Sequence, residues 1–464
     1  MSRKTKIIAT VGPSVFTKDK VEELLHAGVN VLRLNFSHGT HADHEKVIKW
    51  ARDSDYNCAI LQDIQGPKIR SCIAEEGVVL KNDSKIDIYF KNGTCTEDSL
   101  YIDNSKLLGD INSGERILID DGSIIIRVKE VSKKKLIGVV EVGGELRSNQ
   151  GIALPDTVTS LPPLTKKDIE DIKFGNDKDI DLLAVSFVRN SKDVEEVRKL
   201  VNETTKVIAK IELKSAVENL ESILEVADGA MVARGDLGVQ YPLEKLPLMQ
   251  KQILTKTNGK GKISITATEM LQSMKTSHRP TRAEVTDVTN AIMQGSDAVM
   301  LSAETSIGDH PTLVVEYMAK ICEEADKANT WTPAIETGNS IDSVPLSVAK
   351  SAVQVANDLD IDYILAFTES GRTGQFLSKI KPRGRIIVFS VIEKTLRQMN
   401  IFANVTPVEI SRNNTTDEMF KTADEWLIST NKVKKGDRVV IVAGTPPNKE
   451  ASTNLIRVHT VGVI

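Results

Sequence analysis

Three residues set the chemistry open to this chain. Lys210 and Glu212 stand two apart in KVIAKIE, and Asp236 stands in GAMVARGDLG. In a strand, residues i and i+2 share a face, so Lys210 and Glu212 point the same way. Carboxylates from adjacent strands can share one hard divalent cation, Mg²⁺ or Mn²⁺, which takes oxygen ligands from one or two carboxylates and completes its shell with water and substrate oxygens. A lysine beside such an ion suits a reaction that develops negative charge, such as an enolate or a transferring phosphoryl group. Either carboxylate alone would as readily pair with a neighbouring lysine or arginine. The three together favour a site.

Other candidates surround them. Arg33, Asn35 and Ser37 alternate along one face in VNVLRLNFSH, and Arg70 follows the next apolar run. Two arginines near a metal read as phosphate ligands. Ala233 and Gly235 are small enough for a ligand to approach the main chain beside Arg234 and Asp236. Thr268 offers a hydroxyl for a proton-donating water, or simply one satisfied by local backbone. His38, His41 and His44 suggest a metal cluster by type, but a helix beginning at Thr40 or His41 keeps them from facing one point. His38 alone lies near enough to the rim to touch a nucleotide.

These residues sit at the ends of six strand-like runs, starting at Val29, Ala59, Lys206, Gly229, Lys262 and Asp297. Buried strands that are polar only at their C-terminal ends mark an α/β barrel with a site at one rim. Arg33, Asn35, Asp63, Lys210, Glu212, Asp236, Thr268 and Glu304 then converge on one pocket. The βα alternation of residues 6–66 resumes at Leu164 and supplies eight strands before Thr305. Helices are expected around Lys18–Ala27 and His41–Arg52, with another opening on a Ser191 cap. Between Pro67 and Pro155, short Val/Ile-rich runs separated by Asn-Gly, Asp-Gly and Gly-Gly predict a small all-β insert. A linker from Ala328 to Asp342 leads to a second α/β rhythm. The expected organisation is a (β/α)8 TIM barrel over 1–66 and 156–328, an inserted β domain over 67–155, and a C-terminal three-layer α/β domain over 329–464.

The chain's 464 residues are too many for one core. Its net charge of −4 argues against nucleic-acid or membrane-surface binding. Cys58, Cys72, Cys95 and Cys322 show no metal-ligand spacing and read as reduced thiols. The first apolar run is one strand long, which supports neither a signal peptide nor a spanning helix, so a cytoplasmic protein is expected.

Motifs along the whole chain resemble those of the pyruvate kinases: TKIIATVGPS, LRLNFSHG, QDIQGPKIR, IAKIE, MVARGDLG, ITATEMLQSM, RPTRAEVTDVTNAI and MLSAETSIGDHP. The resemblance implies transfer of the phosphoryl group of phosphoenolpyruvate to ADP, giving pyruvate and ATP, in a homotetramer with a mobile lid and a regulatory C-terminal domain. By position it makes Lys210 the lysine that stabilises the phosphoryl group and enolate, and Glu212 and Asp236 the Mg²⁺ ligands. Main-chain groups of Arg234 and Gly235, with Thr268, become substrate contacts. Arg33 and Arg70 become phosphate ligands, Asn35 and His38 nucleotide neighbours, and Thr268 the residue of enolate protonation.

The chain also departs from the family pattern. Many members hold K⁺ with residues matching Asn35, Ser37, Asp63 and the main chain of Ile64, and carry DTKGPE where this chain reads DIQGPK. Lys68 is therefore expected to stand in for K⁺ beside Asp63 and make activity K⁺-independent. Gln150 replaces a lysine that often contacts nucleotide, Leu213 replaces a usually polar residue, and Glu269 adds a carboxylate where Gln is common. In FTESGRTGQ, Thr368, Ser370, Arg372 and Thr373 resemble an effector phosphate loop, though a plain turn would look alike. AGTPPNKEASTN lacks the Trp/Arg character of fructose 1,6-bisphosphate responders, so a sugar or nucleotide monophosphate is as plausible an effector. A lyase acting on pyruvate enolates and a non-catalytic sensor are the competing readings. ADP dependence would separate the first, and the intact Lys210, Glu212, Asp236 and Thr268 argue against the second.

Overall fold

The computed structural model describes residues 3–328, 344–446 and 452–463. The expected linker after Ala328 and the middle of AGTPPNKEASTN lie outside the described residues. Eight parallel strands close into a barrel: β1 (Lys6–Val11), β2 (Val31–Asn35), β3 (Ala59–Ile64), β4 (Leu182–Val185), β5 (Lys206–Ile211), β6 (Gly229–Ala233), β7 (Ile263–Ala267) and β8 (Ala298–Leu301), with β8 pairing back to β1. They are the eight strands expected from the sequence. The strands are buried because helices cover their outer faces, which is why they are apolar on both sides. Ile7, Ala9, Leu32, Leu34 and Ile60 face outward into the helix layer, whereas Ile8, Val31, Leu61, Ala184, Ile208, Met231 and Ile265 fill the interior.

Helix starts are written locally. Thr40, Thr165 and Thr281 each cap a helix and form reciprocal capping boxes with Asp43, Asp168 and Glu284. The expected Ser191 cap is corrected. Asn190 accepts from the amides of Lys192 and Asp193, and Ser191 is the first helical residue, because the Asn side chain reaches the same orphan amides one residue earlier.

Between β3 and β4 the chain builds a seven-stranded sheet with its own core of Ile86, Ile88, Ile117, Ile126, Val128 and Val140. Asp121-Gly122 turns strand Arg116–Ile119 into Ile124–Val131, with φ of 51° and 90°. Hairpins do not account for the whole insert, since Lys85–Tyr89 pairs in parallel with Ser99–Tyr101.

The C-terminal sheet has five strands, four parallel and a last antiparallel one, Leu455–Thr460. One face packs on helices including Val344–Asp358, and the other on Thr416–Ser429, which gives three layers. Its first face shares a continuous apolar cluster with the barrel interior. This unit therefore plugs the N-terminal face of the barrel and leaves the C-terminal rim for the site. All four cysteines are free and buried.

Candidate active site

The interior register explains the cluster at the rim. Above the apolar layer, the next inward positions are Thr10 on β1, Arg33 on β2, Asp63 on β3, Ser186 just after β4 and Lys210 on β5. Arg33 Nε donates to Asp63 Oδ2 at 2.7 Å and its Nη1 to Thr10 Oγ1 at 2.9 Å. Lys210 Nζ lies 2.7 Å from Ser186 Oγ, 2.9 Å from Glu212 Oε1 and 3.3 Å from Asp63 Oδ1. Burial opposes the charge on Lys210, but Asp63 and Glu212 more than offset it and hold its pKa above the usual value. Burial likewise pushes Asp63 up, yet Lys210 and Arg33 prevail and keep it a carboxylate.

Glu212 is the exception. It is 1% exposed, and burial raises its pKa; Lys210 resists this and Asp236 reinforces it. Its Oε2 accepts from the Phe187 amide at 2.7 Å, while Oε1 is met only by the Lys210 ammonium, 2.9 Å away, among the described residues. A buried carboxylate oxygen that meets a cation and no neutral donor fits a metal ligand. Glu212 and Asp236 both line a cleft of about 300 Å³ between the insert and the barrel, together with Lys68, Leu213, Lys214 and Phe187. Among the described residues no group of three His, Cys, Asp or Glu could hold a metal. The pair thus fits an ion such as Mg²⁺ that draws its other ligands from substrate and water.

Thr268 follows β7 in left-handed backbone, φ +64°, and Glu269 repeats this at +53°. Thr268 Oγ1 donates to Ala267 O and accepts from the Gly235 amide at 2.9 Å. The Gly235 N–H is therefore engaged within the chain. A Cβ at Gly235 would come no nearer than 3.8 Å to Thr268, so packing within the chain does not demand glycine there. The buried Arg234 guanidinium is pinned by Thr268 O and Asp287. Asp236 begins the helix Arg234–Gln240 in its first turn. Left-handed residues at Phe187, Thr268 and Glu269 gather at this rim, where strain is a functional signal.

The expectations for Lys68 and Glu304 are corrected, and the remaining candidates are placed as follows. Lys68 is exposed, and both oxygens of Asp63 are engaged by Arg33 and Lys210 rather than by Lys68. The left-handed Gly66 separates Lys68 from the strand that carries Asp63. Glu304 is buried, and its two oxygens accept from the amides of Leu271 and Ser302, so it ties down the loops after β7 and β8. Arg70 is exposed and donates to Asn149 O. Gln150 is buried inside the insert, with Oε1 on the Arg147 amide. Asn35 Oδ1 accepts from the Ser37 amide, and His38 is exposed. His44 reaches His38 O and His41 reaches Asp171, so the three histidines form no shared site. Ser186 and Phe187 went unread in the sequence, although SF ends an apolar run like the others.

In the C-terminal unit, Thr368, Ser370, Arg372 and Thr373 line a groove of about 480 Å³ with Arg412, Ser452 and Thr453. Thr368 Oγ1 accepts from the Gly371 amide, and Thr373 pairs with Thr453 at 2.7 Å.

Comparison with known proteins agrees with this geometry. The profile of the pyruvate kinase barrel domain matches residues 2–315, and that of the pyruvate kinase alpha/beta domain matches residues 346–459. The chain belongs to the pyruvate kinase family. It is 39% identical to the pyruvate kinase of Staphylococcus aureus strain MRSA252 over 477 aligned residues, covering 99% of this chain and 81% of that one. It is also 39% identical to that of Staphylococcus epidermidis strain ATCC 35984, with the same coverage. The chain is thus a phosphotransferase. Pyruvate kinases act on phosphoenolpyruvate and ADP in glycolysis, and generally need Mg²⁺. No helix among the described residues is long and apolar enough to cross a membrane.

Proposed function

We propose that this enzyme transfers the phosphoryl group of phosphoenolpyruvate to ADP with Mg²⁺ or Mn²⁺ held by Glu212 and Asp236, and that it does so largely without K⁺. The observation that carries the reading is Lys210, partly exposed at the rim and held charged between Asp63 and the buried Glu212. The bond between phosphorus and the enol oxygen breaks, a β-phosphate oxygen of ADP takes the phosphorus, and the enolate carbon gains a proton. Lys210 faces the charge that develops on the phosphoryl oxygens and the enolate. Arg33 neutralises phosphate, and Arg234, Gly235 and Asp236 shape the carboxylate end of the substrate. Thr268 orients the water that protonates the enolate. The divalent ion, when bound, adds Lewis-acid charge neutralisation. Asn35, His38 and Arg70 border the nucleotide, and the insert over 67–155 acts as the lid that excludes water.

K⁺-independence is supported by the donors already engaged at the oxygens in question. Asn35 Oδ1 has Ser37, Asp63 has Arg33 and Lys210, and Ile64 O has Ser186. The groove at Thr368, Ser370, Arg372 and Thr373 is the place for a phosphorylated effector, and the assembly is a cytoplasmic homotetramer. The test is pyruvate formation from phosphoenolpyruvate and ADP with Mg²⁺, with and without K⁺, beside Lys210→Ala. Lys210-dependent turnover without K⁺ is expected. Turnover only with K⁺ would discard the K⁺ claim, and none in either would discard the reaction.

A further inference from the structure

We propose that Ser186 is a positioning residue for Lys210, an inference that rests on the reading of Lys210 as the group facing the transferring phosphoryl. Three acceptors surround the ammonium, and the nearest is neither carboxylate but the Ser186 hydroxyl at 2.7 Å, against 2.9 Å to Glu212 and 3.3 Å to Asp63. The polarity of that hydroxyl is set from behind. Ser186 Oγ lies 2.7 Å from Ile64 O, and a carbonyl can only accept. The serine proton is therefore used there, and the lone pairs of Oγ are turned toward Lys210.

A neutral acceptor aims an ammonium without cancelling its charge, whereas Asp63 and Glu212 both neutralise and pull. The support is stiff. Ser186 is buried, and the turn after β3 closes on it: a Cβ added at Gly66, φ +69°, would come within 3.0 Å of Ser186 O. The next residue, Phe187, holds Glu212 through its own amide at 2.7 Å from left-handed backbone, φ +56°. One dipeptide thus fixes the lysine by a side chain and the carboxylate by the main chain, through separate bonds. Removing the hydroxyl should disturb Lys210 and spare Glu212.

The experiment compares Ser186→Ala, Ser186→Cys and Ser186→Thr in the full chain. Loss of a hydrogen bond to a charged group predicts a fall in kcat of about 10- to 100-fold for Ala. The Cys variant should fall similarly, because a thiol is a weak acceptor that keeps nearly the same volume. Thr, which keeps the hydroxyl, should recover most of the rate. KM for both substrates and equilibrium Mn²⁺ binding, read by electron paramagnetic resonance, should stay within about threefold of the parent, since the Phe187 amide remains on Glu212. If Ala fails to fold, Cys carries the test. Parental kcat in Ala or Cys overturns the proposal, as does Mn²⁺ binding that weakens in step with kcat, which would place Ser186 behind the metal ligand. Parental activity in Lys210→Ala would instead overturn the underlying phosphoryl-transfer reading.

Discussion

The two faces of the barrel bury the same kind of pair for opposite ends. At the C-terminal rim, Arg33 and Lys210 meet Asp63, and Glu212 Oε1 is met by Lys210 with no neutral donor among the described residues. At the N-terminal face, the buried carboxylates are closed by several donors each. Lys379 is fully buried, pairs with Asp297 and donates to Asn258 at 2.7 Å. Arg397 Nε meets Asp181 Oδ1 at 2.7 Å, while Arg52 and the Ile60 amide take Oδ2. Asp181 and Asp297 precede β4 and β8, which lie opposite each other in the barrel order. The C-terminal unit is therefore pinned at two opposed points. A closed network holds a joint, whereas an unbalanced one leaves capacity for a ligand.

The sharpest way to break this comparison is to remove one lysine from each face. Lys210→Met should lower kcat by about 10³-fold, the scale of a preorganised charge in the transition state. Its cost in stability should be smaller than that of the matching change below, because Glu212, already pushed up by burial, can take a proton once its partner is gone. Lys379→Met should do the reverse. Breaking a buried pair from one side costs about 3–5 kcal/mol, and kcat measured where the protein stays folded should move less than about twofold. Thermal unfolding and steady-state rates of both variants decide it; equal effects on either readout would erase the contrast. Arg397→Ala should be milder, about 1.5–3 kcal/mol, since Asp181 retains Arg52 and an amide.

Apolar runs that turn polar at their C-terminal ends disclosed all eight barrel strands, because that pattern is written in neighbouring residues; the Ser191 cap was one residue off because Asn190 offers the same side-chain chemistry. The inward file Ile208, Lys210, Glu212 was legible for the same reason. Strand Val405–Glu409 was not, since Pro407 argues against a central strand; it is an edge strand, where proline is tolerated. Ser186 hid because a hydroxyl between Val185 and Phe187 reads as strand packing until its inward register is known. Lys68 misled in the opposite sense. Five residues from Asp63 in sequence, it is carried away by the turn at Gly66. Glu304 obeyed the strand-end rule, yet backbone amides claimed both its oxygens. The docking of the C-terminal unit could not be read at all, because Lys379 and Asp297 are 82 residues apart and Arg397 and Asp181 are 216 apart.

The smallest effect sharpens the view of the lower face. Lys6 opens β1 there, 8% exposed, and donates to Val405 O at 2.6 Å, with no carboxylate in contact among the described residues. Burial, aided by Arg3 and Arg385, lowers its pKa from 10.5 to about 7. Below pH 7 the folded and unfolded chains both carry this proton, so Lys6 adds no pH dependence. Between pH 7 and 10.5 the unfolded chain binds the proton and the folded chain does not, so stability rises with pH through that window. Lys6→Met abolishes the term. The parent should therefore gain about 2 kcal/mol over the variant between pH 7 and pH 9, measured by calorimetry at both values. Parallel curves would mean that Lys6 stays charged at this joint. A buried cation would then be tolerated there with only a carbonyl for support, and the matched pairing at Lys379 and Arg397 would not be the rule of that face.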